Sequence, residues 1–399
     1  MKDVLIISNY WHFESEKSSS RYLSIAKLLC KENISLEVVT SSFYHTQKKQ
    51  REKMNFLDSV EYKISLLHEP GYRKNISVKR IISHKVFTKN VVRYLKERKK
   101  PDLIYLFVPP LELGNAISMF AKKNGIKLII DVLDLWPEAY NMILKNDLLN
   151  NAVFYFSKRK ANKIYSRADK IVSVSNTYLK RALSVNRNDK TGLALYIGTE
   201  LNVFDQFRQE KQESNQIIIV YIGMLGHSYD LKCAIEAMSL LNSQGYKNLK
   251  LLVMGDGPLL NSFKEYASKL NICSEFTGRL EYSEMVRKLC NCDIALNVIS
   301  KGAVQSIINK HSDYLAAGLP IINNQEVPEF GEIIEKYRCG VNCINSDSQS
   351  LANALQKLID DPVLRREMGR NSRFVAEELF DRNNTYSQIT NLIMSLLDN

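Results

Sequence analysis

Short apolar runs alternate with longer amphipathic stretches along the first half of the chain. The runs have the length of strands buried on both faces of a parallel sheet. They cover residues 4–8, 36–40, 103–108, 128–131 and 171–175. Intervening stretches such as 22–31 and 81–98 place apolar residues at the spacing of one helix face. The pattern predicts a parallel sheet whose strands are connected by helices.

The second half of the chain repeats this arrangement after a polar run at 206–216. Its predicted strands cover residues 217–222, 249–254, 294–298 and 321–323, and its clearest helices cover 231–244 and 258–269. A chain of 399 residues is too long for one ordinary hydrophobic core. We therefore predict an α/β fold of two Rossmann-like, doubly wound domains that face each other across a cleft.

Composition indicates a globular chain, because 45% of the residues are hydrophobic and 25% are charged. No apolar run approaches the ~20 residues that span a bilayer. The first nine residues turn polar after a short apolar core, which predicts a first strand and not a signal peptide. The seven cysteines lack partners at zinc-site spacing, so we expect reduced thiols in a cytosolic protein.

Charge is distributed unevenly between the two halves. Residues 1–200 hold 35 Lys and Arg against 19 Asp and Glu, a net charge of +16. Residues 201–399 hold 20 against 24, a net charge of −4, and the two values give the overall +12. The first half is therefore expected to face an anionic partner, and a nucleic acid, a membrane surface or an acidic substrate would each fit.

A short helix predicted to start near residue 309 carries the most informative chemistry. Asn309 suits the N-cap, Gly318 suits the position after the C-cap, and Pro320 prevents continuation. Lys310 would add a full positive charge to a helix N-terminus that already attracts anions. Asp313 can accept hydrogen bonds from two sugar hydroxyls. The pair suits the phosphate and ribose of a nucleotide, although a solvated surface helix would carry the same residues.

Three loops of the second half offer backbone contacts to a nucleotide. Gly223-x-x-Gly226 follows a predicted strand, and glycines there let N–H groups approach a phosphate closely. Gly255 and Gly257 form the next such turn, and Arg279 ends a further strand whose backbone could read the edge of a base. Each loop is also what an α/β fold needs for its strand–helix turns.

In the first half, the segment after the strand at 128–131 presents two carboxylates, Asp134 and Glu138. The carboxyl end of a strand is where a doubly wound domain presents its ligand-facing groups. Either carboxylate can act as a base or hold an acceptor hydroxyl. The alternative is that Trp136-Pro137, between them, only anchors the loop.

The order of these motifs resembles the nucleotide-sugar half of retaining family-4 glycosyltransferases. The matching segments are Gly223-x-x-Gly226, Gly255-Asp256-Gly257-Pro258, Phe276-Thr277-Gly278-Arg279 and the stretch from Asn309-Lys310 through Asp313-Tyr314-Leu315-Ala316-Ala317-Gly318-Leu319-Pro320. In the first half, Asp134-Leu135-Trp136-Pro137-Glu138 is similar to the motif of a branch that makes bacterial surface polysaccharides, namely capsule, exopolysaccharide and O-antigen. The resemblance covers nearly the whole chain.

The resemblance implies a GT-B fold with an N-terminal acceptor-binding domain over 1–196 and a C-terminal nucleotide-sugar-binding domain over 197–376. A last helix within 377–399 would cross back to the first domain. The implied reaction moves a hexosyl or N-acetylhexosaminyl group from a UDP-sugar to a lipid-linked or saccharide acceptor, with retention of configuration. No metal ion or other cofactor is expected, and Asp134, Lys310 and Gln305 would be catalytic.

The chain departs from the family pattern in several places. Gln305 and Asp313 stand where relatives often have two glutamates, and Met224 stands where many carry arginine. The glycine-rich loop expected after the first strand is absent, and the serine hydroxyls there, such as that of Ser19, or Arg21 are expected to replace it on the acceptor side. These departures keep two alternatives open, a non-catalytic partner subunit and a sugar-nucleotide epimerase of the same fold.

The basic first half gains an interpretation from the resemblance, because such enzymes usually act on lipid-linked acceptors. Residues 79–100 form a predicted helix with many cations, and 154–160 combine three aromatic residues with Lys158, Arg159 and Lys160. Both segments suit the anionic inner face of the cytoplasmic membrane, with the protein bound peripherally. The alternative is a solvated helix face with core aromatics. Nucleic acid is not expected, since neither segment belongs to a recognisable binding module.

Overall fold

The structure is a computed structural model that describes residues 1–16, 20–51, 60–138, 148–188, 190–212, 214–303 and 305–398. It divides into two compact units. One consists of Met1–Tyr196 with Tyr386–Asn399, and the other is Ile197–Thr385. The boundary between Thr385 and Tyr386 comes later in the chain than the boundary predicted from the sequence at 376/377. The reason is that the backbone of Thr199 bonds to Phe380 and Arg382, so this segment stays with the second unit.

The first unit is built on a parallel sheet. Its strands are β1 (Lys2–Ser8), β2 (Ile34–Ser41), β3 (Phe43–Tyr44), β4 (Lys49–Gln50), β5 (Lys63–Leu67), β6 (Leu103–Val108), β7 (Lys127–Val132), β8 (Lys170–Ser173) and β9 (Leu193–Ala194). Within the described residues the sheet order is β5-β2-β1-β6-β7-β8-β9, and β3 pairs with β4 in a separate hairpin. Helices follow these strands: α1 (Arg21–Leu29), α2 (Val78–Glu97), α3 (Leu111–Asn124), α4 (Leu148–Tyr165) and α5 (Asn176–Leu183).

The second unit repeats the design with fewer strands. These are β10 (Ile217–Ile222), β11 (Leu249–Met254), β12 (Ser274–Gly278), β13 (Ile294–Asn297), β14 (Ile321–Asn323) and β15 (Gly340–Asn342), ordered β12-β11-β10-β13-β14-β15. Its helices are α6 (Leu201–Phe207), α7 (Leu231–Ser243), α8 (Leu260–Lys269), α9 (Tyr282–Cys290), α10 (Asn309–Ala316), α11 (Pro328–Tyr337), α12 (Ser348–Asp360), α13 (Pro362–Val375) and α14 (Arg382–Thr385), with a π-helical turn at Ala376–Phe380. This strand order is that of a doubly wound nucleotide-binding sheet.

The last helix, α15 (Ser387–Asp398), belongs to the first unit. Its apolar side chains Ile389, Ile393 and Leu397 join the core that α1 and the first strands form. The helix is amphipathic, and burial of that face is what holds it in place.

Strand burial explains why the apolar runs were visible in the sequence. In β6 every residue is buried, and β10, β11 and β13 are buried along most of their length. The predicted strands 103–108, 217–222, 249–254 and 321–323 agree with the structure to the residue. Short serine and aspartate caps then start the helices, as at Ser20, Ser77, Ser175 and Asp230, whose side chains accept from backbone N–H groups.

Two further predictions concern the whole chain. All seven cysteines are free thiols. The helices in the described ranges include none that is long and apolar enough to cross a membrane.

Candidate functional site

The strand order of the second sheet reverses between β10 and β13. These two strands are neighbours in the sheet, although β11 and β12 lie between them in sequence. Connections on the two sides of such a point leave in opposite directions and open a crevice at the carboxyl ends of the strands. The loop after β10 carries Gly223 and Gly226, and the loop after β13 leads to α10. Topology therefore brings the predicted glycine loop and the predicted helix together.

Backbone conformation or close packing requires glycine at three of the predicted positions, namely Gly223, Gly255 and Gly257. Gly223 has φ 121° and Gly257 has φ 159°, which side chains with a β-carbon rarely adopt. A β-carbon on Gly255 would lie 1.8 Å from the carbonyl oxygen of Gly223, and one on Gly257 would lie 2.4 Å from that of Leu225. At Gly226 the nearest atoms would be 3.7 Å away, so this position is not sterically restricted by the protein.

Lys310 lies at the start of α10 and points at the glycine loop. A β-carbon on Gly223 would lie 3.4 Å from Cε and 3.6 Å from Nζ of the lysine. The ammonium lies 3.8 Å from the ring centre of Tyr221 and 4.2 Å from that of Tyr229. The alternative of a surface helix would require a solvated lysine side chain. Only 6% of Lys310 is exposed, so this alternative does not hold.

The Lys310 ammonium also has no hydrogen-bond partner among the described residues. A buried ammonium without an acceptor is costly, and burial lowers the pKa of Lys310 well below the usual lysine range. The two tyrosine faces offset part of this cost by cation–π attraction. An anion at the glycine loop would supply the missing acceptor and restore the charged form.

The start of α10 differs from the prediction in one respect. Asn309 is the first residue of the helix, and Ile308 occupies the N-cap with extended backbone. The side chain of His311 takes over capping, since its Nδ1 accepts from the Ile308 N–H at 3.4 Å. Its ring stacks on Phe330 at 3.5 Å, which fixes its orientation. The helix ends as expected, with Gly318 after the C-cap at φ 72°.

Asp313, one turn after Lys310, accepts a hydrogen bond from a tyrosine hydroxyl, which a threonine hydroxyl contacts in turn. The Tyr282 hydroxyl lies 3.3 Å from the Asp313 Oδ1, and the Thr199 hydroxyl lies 3.2 Å from that of Tyr282. Burial, followed by the Asp313 charge, raises the pKa of Tyr282, so the phenol remains a donor. Lys310 is therefore surrounded by aromatic rings, whereas Asp313 is in contact with a hydroxyl group.

Gln305 precedes α10 in a loop held by a buried amide network. The Gln325 side-chain amide donates to the backbone oxygens of Gln305 and Ser306. Asn297 at the end of β13 donates to Gln325 and to Asn323 at the end of β14. Within the described structure the Gln305 Oε1 is buried without a partner. The sequence analysis did not predict Gln325, Tyr221 and Tyr229 as site residues. Their positions at or after the carboxyl ends of β10 and β14 are the signal that could have found them.

Arg279, predicted on the nucleotide side, is exposed directly after β12. The Thr277 hydroxyl in the same turn donates to the Gly278 oxygen at 2.9 Å. The structure thus leaves the guanidinium of Arg279 accessible, and its role stays a prediction.

In the first unit, Asp134 lies just beyond the carboxyl end of β7. Its Oδ2 accepts from the Trp136 indole N–H at 3.0 Å, and Arg80 lies over the Trp136 ring at 4.8 Å. Burial raises the pKa of Asp134 despite the indole hydrogen bond, which acts in the opposite direction. The carboxylate therefore anchors the Trp136 loop, as the alternative reading required, and also has the raised pKa that suits proton transfer.

The other acceptor-side predictions have different outcomes. Glu138 pairs with Arg181 at 2.7 Å, which fixes it by an ion pair. Ser19 lies outside the described residues. Arg21 is wrong as a ligand contact, because it is 3% exposed and its Nε lies 2.9 Å from the Asp131 carboxylate. The prediction placed Arg21 in the loop after the first strand, but Arg21 is the first residue of α1 and pairs with the buried Asp131 of β7.

The described residues contain no group of three or more His, Cys, Asp and Glu side chains placed to hold a metal ion. The site of the second unit therefore consists of glycine backbone, one buried ammonium, one carboxylate and amide groups. Such a set can bind the phosphates and the sugar hydroxyls of a nucleotide.

Residues 203–374 match the family model described as glycosyl transferases group 1, and the matched residues lie within the second unit. An uncharacterised glycosyltransferase of Methanocaldococcus jannaschii is 22% identical over 60% of this chain and 61% of its own length. The chain thus aligns with less than two thirds of that relative. An α-1,4-N-acetyl-D-galactosaminyltransferase of Campylobacter jejuni is 22% identical over 70% of each chain, and its name gives an undecaprenol diphosphate-linked saccharide as acceptor.

Among solved structures, Anabaena HepE in complex with UDP has a TM-score of 0.72 and 15% identity, over 99% of this chain and 100% of its own. This likeness shows the fold, which is the GT-B fold of two Rossmann-like domains with parallel sheets. The family match and this fold agree in the second unit, where residues 203–374 are similar to the glycosyl transferases group 1 model.

Proposed function

We propose that the protein transfers a sugar from a nucleotide-diphosphate sugar, with UDP as the nucleotide, to a lipid-linked or saccharide acceptor with retention of configuration. The product would belong to bacterial surface polysaccharide synthesis. The observation that carries the proposal is the Lys310 ammonium, buried without a hydrogen-bond partner in the described structure and directed at Gly223. A diphosphate at the glycine loop is the ligand that would complete this site.

The second unit would then bind the donor through separate groups. Lys310 and the N–H groups near Gly226 would hold the diphosphate, whose negative charge grows as the sugar–oxygen bond breaks. A cation in a buried site stabilises this charge strongly, and one such donor is typically worth ~3–4 kcal/mol. Asp313 would hold the ribose hydroxyls, and Gln305 would lie beside the sugar. The proposal uses no metal ion, so turnover should persist in EDTA.

The first unit would contribute the acceptor side. Asp134 has the raised pKa and the strand-end position of a group that accepts or directs the hydroxyl proton of the acceptor. The hydrogen bond from the Trp136 indole would hold this carboxylate in place through Oδ2. Glu138 would act through Arg181, by fixing the loop that carries Asp134.

We also propose that the first unit binds an anionic membrane peripherally. Near the start of α2 the side chains of Ile76, Val78, Ile81 and Ile82 are 49–71% exposed, between lysines and arginines. On α4, Tyr155 and Phe156 are 57% and 66% exposed next to exposed cations. Exposed apolar groups flanked by cations favour insertion at a lipid interface, which supports this proposal over core aromatics.

The test of the donor reaction is hydrolysis of nucleotide sugars without an acceptor, screened by mass spectrometry. A transferase releases free sugar and UDP slowly from its own donor, and the protein should do so for at least one UDP-sugar. A partner subunit would leave every donor intact, and an epimerase would return an isomer of the same mass with a different retention time. Either result would overturn the proposal.

A further inference from the structure

A cleft of the first unit opens at the edge of the sheet opposite to Asp134. It lies where β7 and β8 begin, beside the C-terminal ends of α3 and α4, and has a volume of about 750 Å³. Clefts of this size hold small molecules in many proteins. We call it the amino-edge cleft. Because the six residues of β7 separate the two edges, the cleft lies on the order of 20 Å from Asp134.

Cations dominate the charged side chains that line the amino-edge cleft. These side chains are Lys122, Lys127, Lys163, Arg167, Arg187 and Asp169. Five cations against one carboxylate give the described lining a net charge of +4. The single carboxylate also has a role within the fold, because the Asp169 Oδ2 accepts from the Leu128 N–H at 2.7 Å. The cleft therefore presents an excess of positive charge.

Most of these cations have no partner in the part of the chain that the structure describes. Neither a salt bridge nor a hydrogen bond to a described residue is formed by the side chains of Lys122, Lys127, Lys163 and Arg187. Lys122, Lys163 and Arg187 are exposed, and Lys127 is half-buried at the start of β7. Their charge is thus directed at solvent or at a ligand.

The fifth cation, Arg167, is held in place by neutral groups. Its Nη1 donates to the Asn115 side-chain oxygen at 2.9 Å and to the Ser118 hydroxyl at 3.1 Å. A third contact, with the Asn115 backbone oxygen, uses the same nitrogen. The Nε–Nη2 edge of the guanidinium has no partner among the described residues, so it can bind an anion through two parallel N–H groups.

Compensation of helix dipoles is the alternative explanation of this charge. A cation in the last turn of a helix is favourable without any ligand, and Lys122 and Lys163 lie in such turns of α3 and α4. Lys127, however, belongs to β7, and Arg187 lies beyond the end of α5. Dipole compensation therefore leaves part of the positive charge unexplained.

Backbone carbonyl groups at the end of α4 would repel an anion if they were free. The Asn186 side-chain amide donates to the backbone oxygens of Tyr165 and Ala168 at 2.6 and 3.0 Å. Because these oxygens already accept hydrogen bonds, they oppose an anion in the cleft less strongly. The helix ends are therefore compatible with a negatively charged ligand.

We propose that the amino-edge cleft binds a phosphate-bearing anion, with Arg167 on two of its oxygens and the other cations around it. Several donors on different segments suit the three or four oxygens of a phosphate better than the two of a carboxylate. Asn162, Ser166 and Asn188 also line the cleft and can hydrogen-bond to the group that carries the phosphate. A ligand there cannot reach Asp134, so it would be neither the donor nor the acceptor of the proposed reaction.

The test is acetylation of lysine side chains in the full-length protein, with mass spectrometry measuring the rate at each lysine. Inorganic pyrophosphate should protect Lys122, Lys127 and Lys163 in a saturable way, and Lys123 should react as fast as without the probe. Lys123 is the matched control, since it shares the last turn of α3 with Lys122 but does not line the cleft. Equal protection of Lys122 and Lys123 would show diffuse attraction to positive charge and would overturn the site.

Two single substitutions give the same comparison as an affinity. Lys122→Gln should weaken pyrophosphate binding, followed by the protection of Lys163, by about tenfold or more, as expected for the loss of a charge-assisted hydrogen bond. Lys123→Gln should bind as wild type. Both lysines are exposed, so the melting temperature should not change. Arg187→Gln should resemble Lys122→Gln, and wild-type affinity in both of these variants would overturn the proposal.

Two further probes distinguish the sources of the phosphate. Glucose 6-phosphate represents a soluble phosphorylated molecule, and vesicles of phosphatidylglycerol represent a lipid headgroup, with phosphatidylcholine vesicles as the blank. Protection of Lys122 and Lys163 over Lys123 with either probe supports the proposal and names the source. Absence of such selective protection with every probe, pyrophosphate included, would contradict it.

Discussion

Each unit of the protein buries a cation near the ligand edge of its sheet, and the two cations have opposite surroundings. Arg21 in the first unit meets the Asp131 carboxylate, a backbone oxygen and the Tyr386 hydroxyl, so its donors are used within the fold. Lys310 in the second unit has two tyrosine faces and no acceptor in the described structure. A buried cation with a full set of partners is structural, whereas one without an acceptor indicates a missing anion.

The two ligand edges differ in the same way. In the second unit the edge is made of backbone at Gly223, Gly255 and Gly257, which leaves little room for variation. In the first unit the edge is made of side chains from several segments, where Arg80 and His84 lie against Trp136 beside Asp134. The family match is correspondingly in the second unit.

The largest effect is expected for Asp134→Asn, which retains an oxygen for the Trp136 hydrogen bond but cannot accept a proton. Transfer should fall by roughly 10²–10⁴-fold, the usual contribution of a general base. UDP affinity and melting temperature should stay near wild type, because the loop anchor is preserved. Transfer rate, calorimetric UDP affinity and thermal melting check this on one variant. Wild-type transfer would leave Asp134 as a loop anchor only.

Arg21→Met tests the paired cation. The substitution leaves the Asp131 carboxylate fully buried, with Tyr105 still donating to it at 2.8 Å but no counter-charge. Removal of one partner of a buried ion pair typically costs 3–5 kcal/mol of unfolding free energy. Urea unfolding measures the loss, and the double variant Arg21→Met/Asp131→Asn should recover part of it. A stable single variant would show that the ion pair is not what holds α1 in place.

Lys310→Ala tests the unpaired cation and should have the opposite pattern. Donor turnover should fall by about two orders of magnitude or more, corresponding to ~3–4 kcal/mol of transition-state stabilisation. The melting temperature should not fall, because a buried ammonium without an acceptor is removed. Lys264→Ala, an exposed lysine on α8, is the control. If Lys310→Ala instead lowered the melting temperature but kept wild-type donor turnover, Lys310 would have a structural role like that of Arg21.

The smallest expected effect is that of Asp313→Asn. The amide oxygen can still accept from Tyr282, but the charge-assisted hydrogen bonds to ribose are lost. UDP binding should weaken by roughly 1.5–3 kcal/mol per lost bond. Calorimetry compares UDP with dUDP, whose ribose lacks the 2′-hydroxyl, and the variant should discriminate less between them. An unchanged preference would place the ribose elsewhere.

The sequence was most informative where the backbone dictates residue type. Buried strands appeared as apolar runs, and the glycine turns and the C-terminus of α10 at Gly318 were read correctly from residue chemistry alone. Pairings between distant residues were not readable, because nothing in the sequence links Arg21 to Asp131, 110 positions apart. The contacts of Arg80 and His84 with Trp136 are not readable for the same reason, since these residues are far apart in the sequence.

A donor diphosphate should supply the acceptor that the buried Lys310 lacks. A crystal structure of the protein with UDP would show whether it does. A diphosphate oxygen should lie within about 3 Å of the Lys310 Nζ, next to Gly223, as in a charge-assisted hydrogen bond. A diphosphate bound elsewhere, with the ammonium still between Tyr221 and Tyr229 and without an acceptor, would show that Lys310 does not bind the donor.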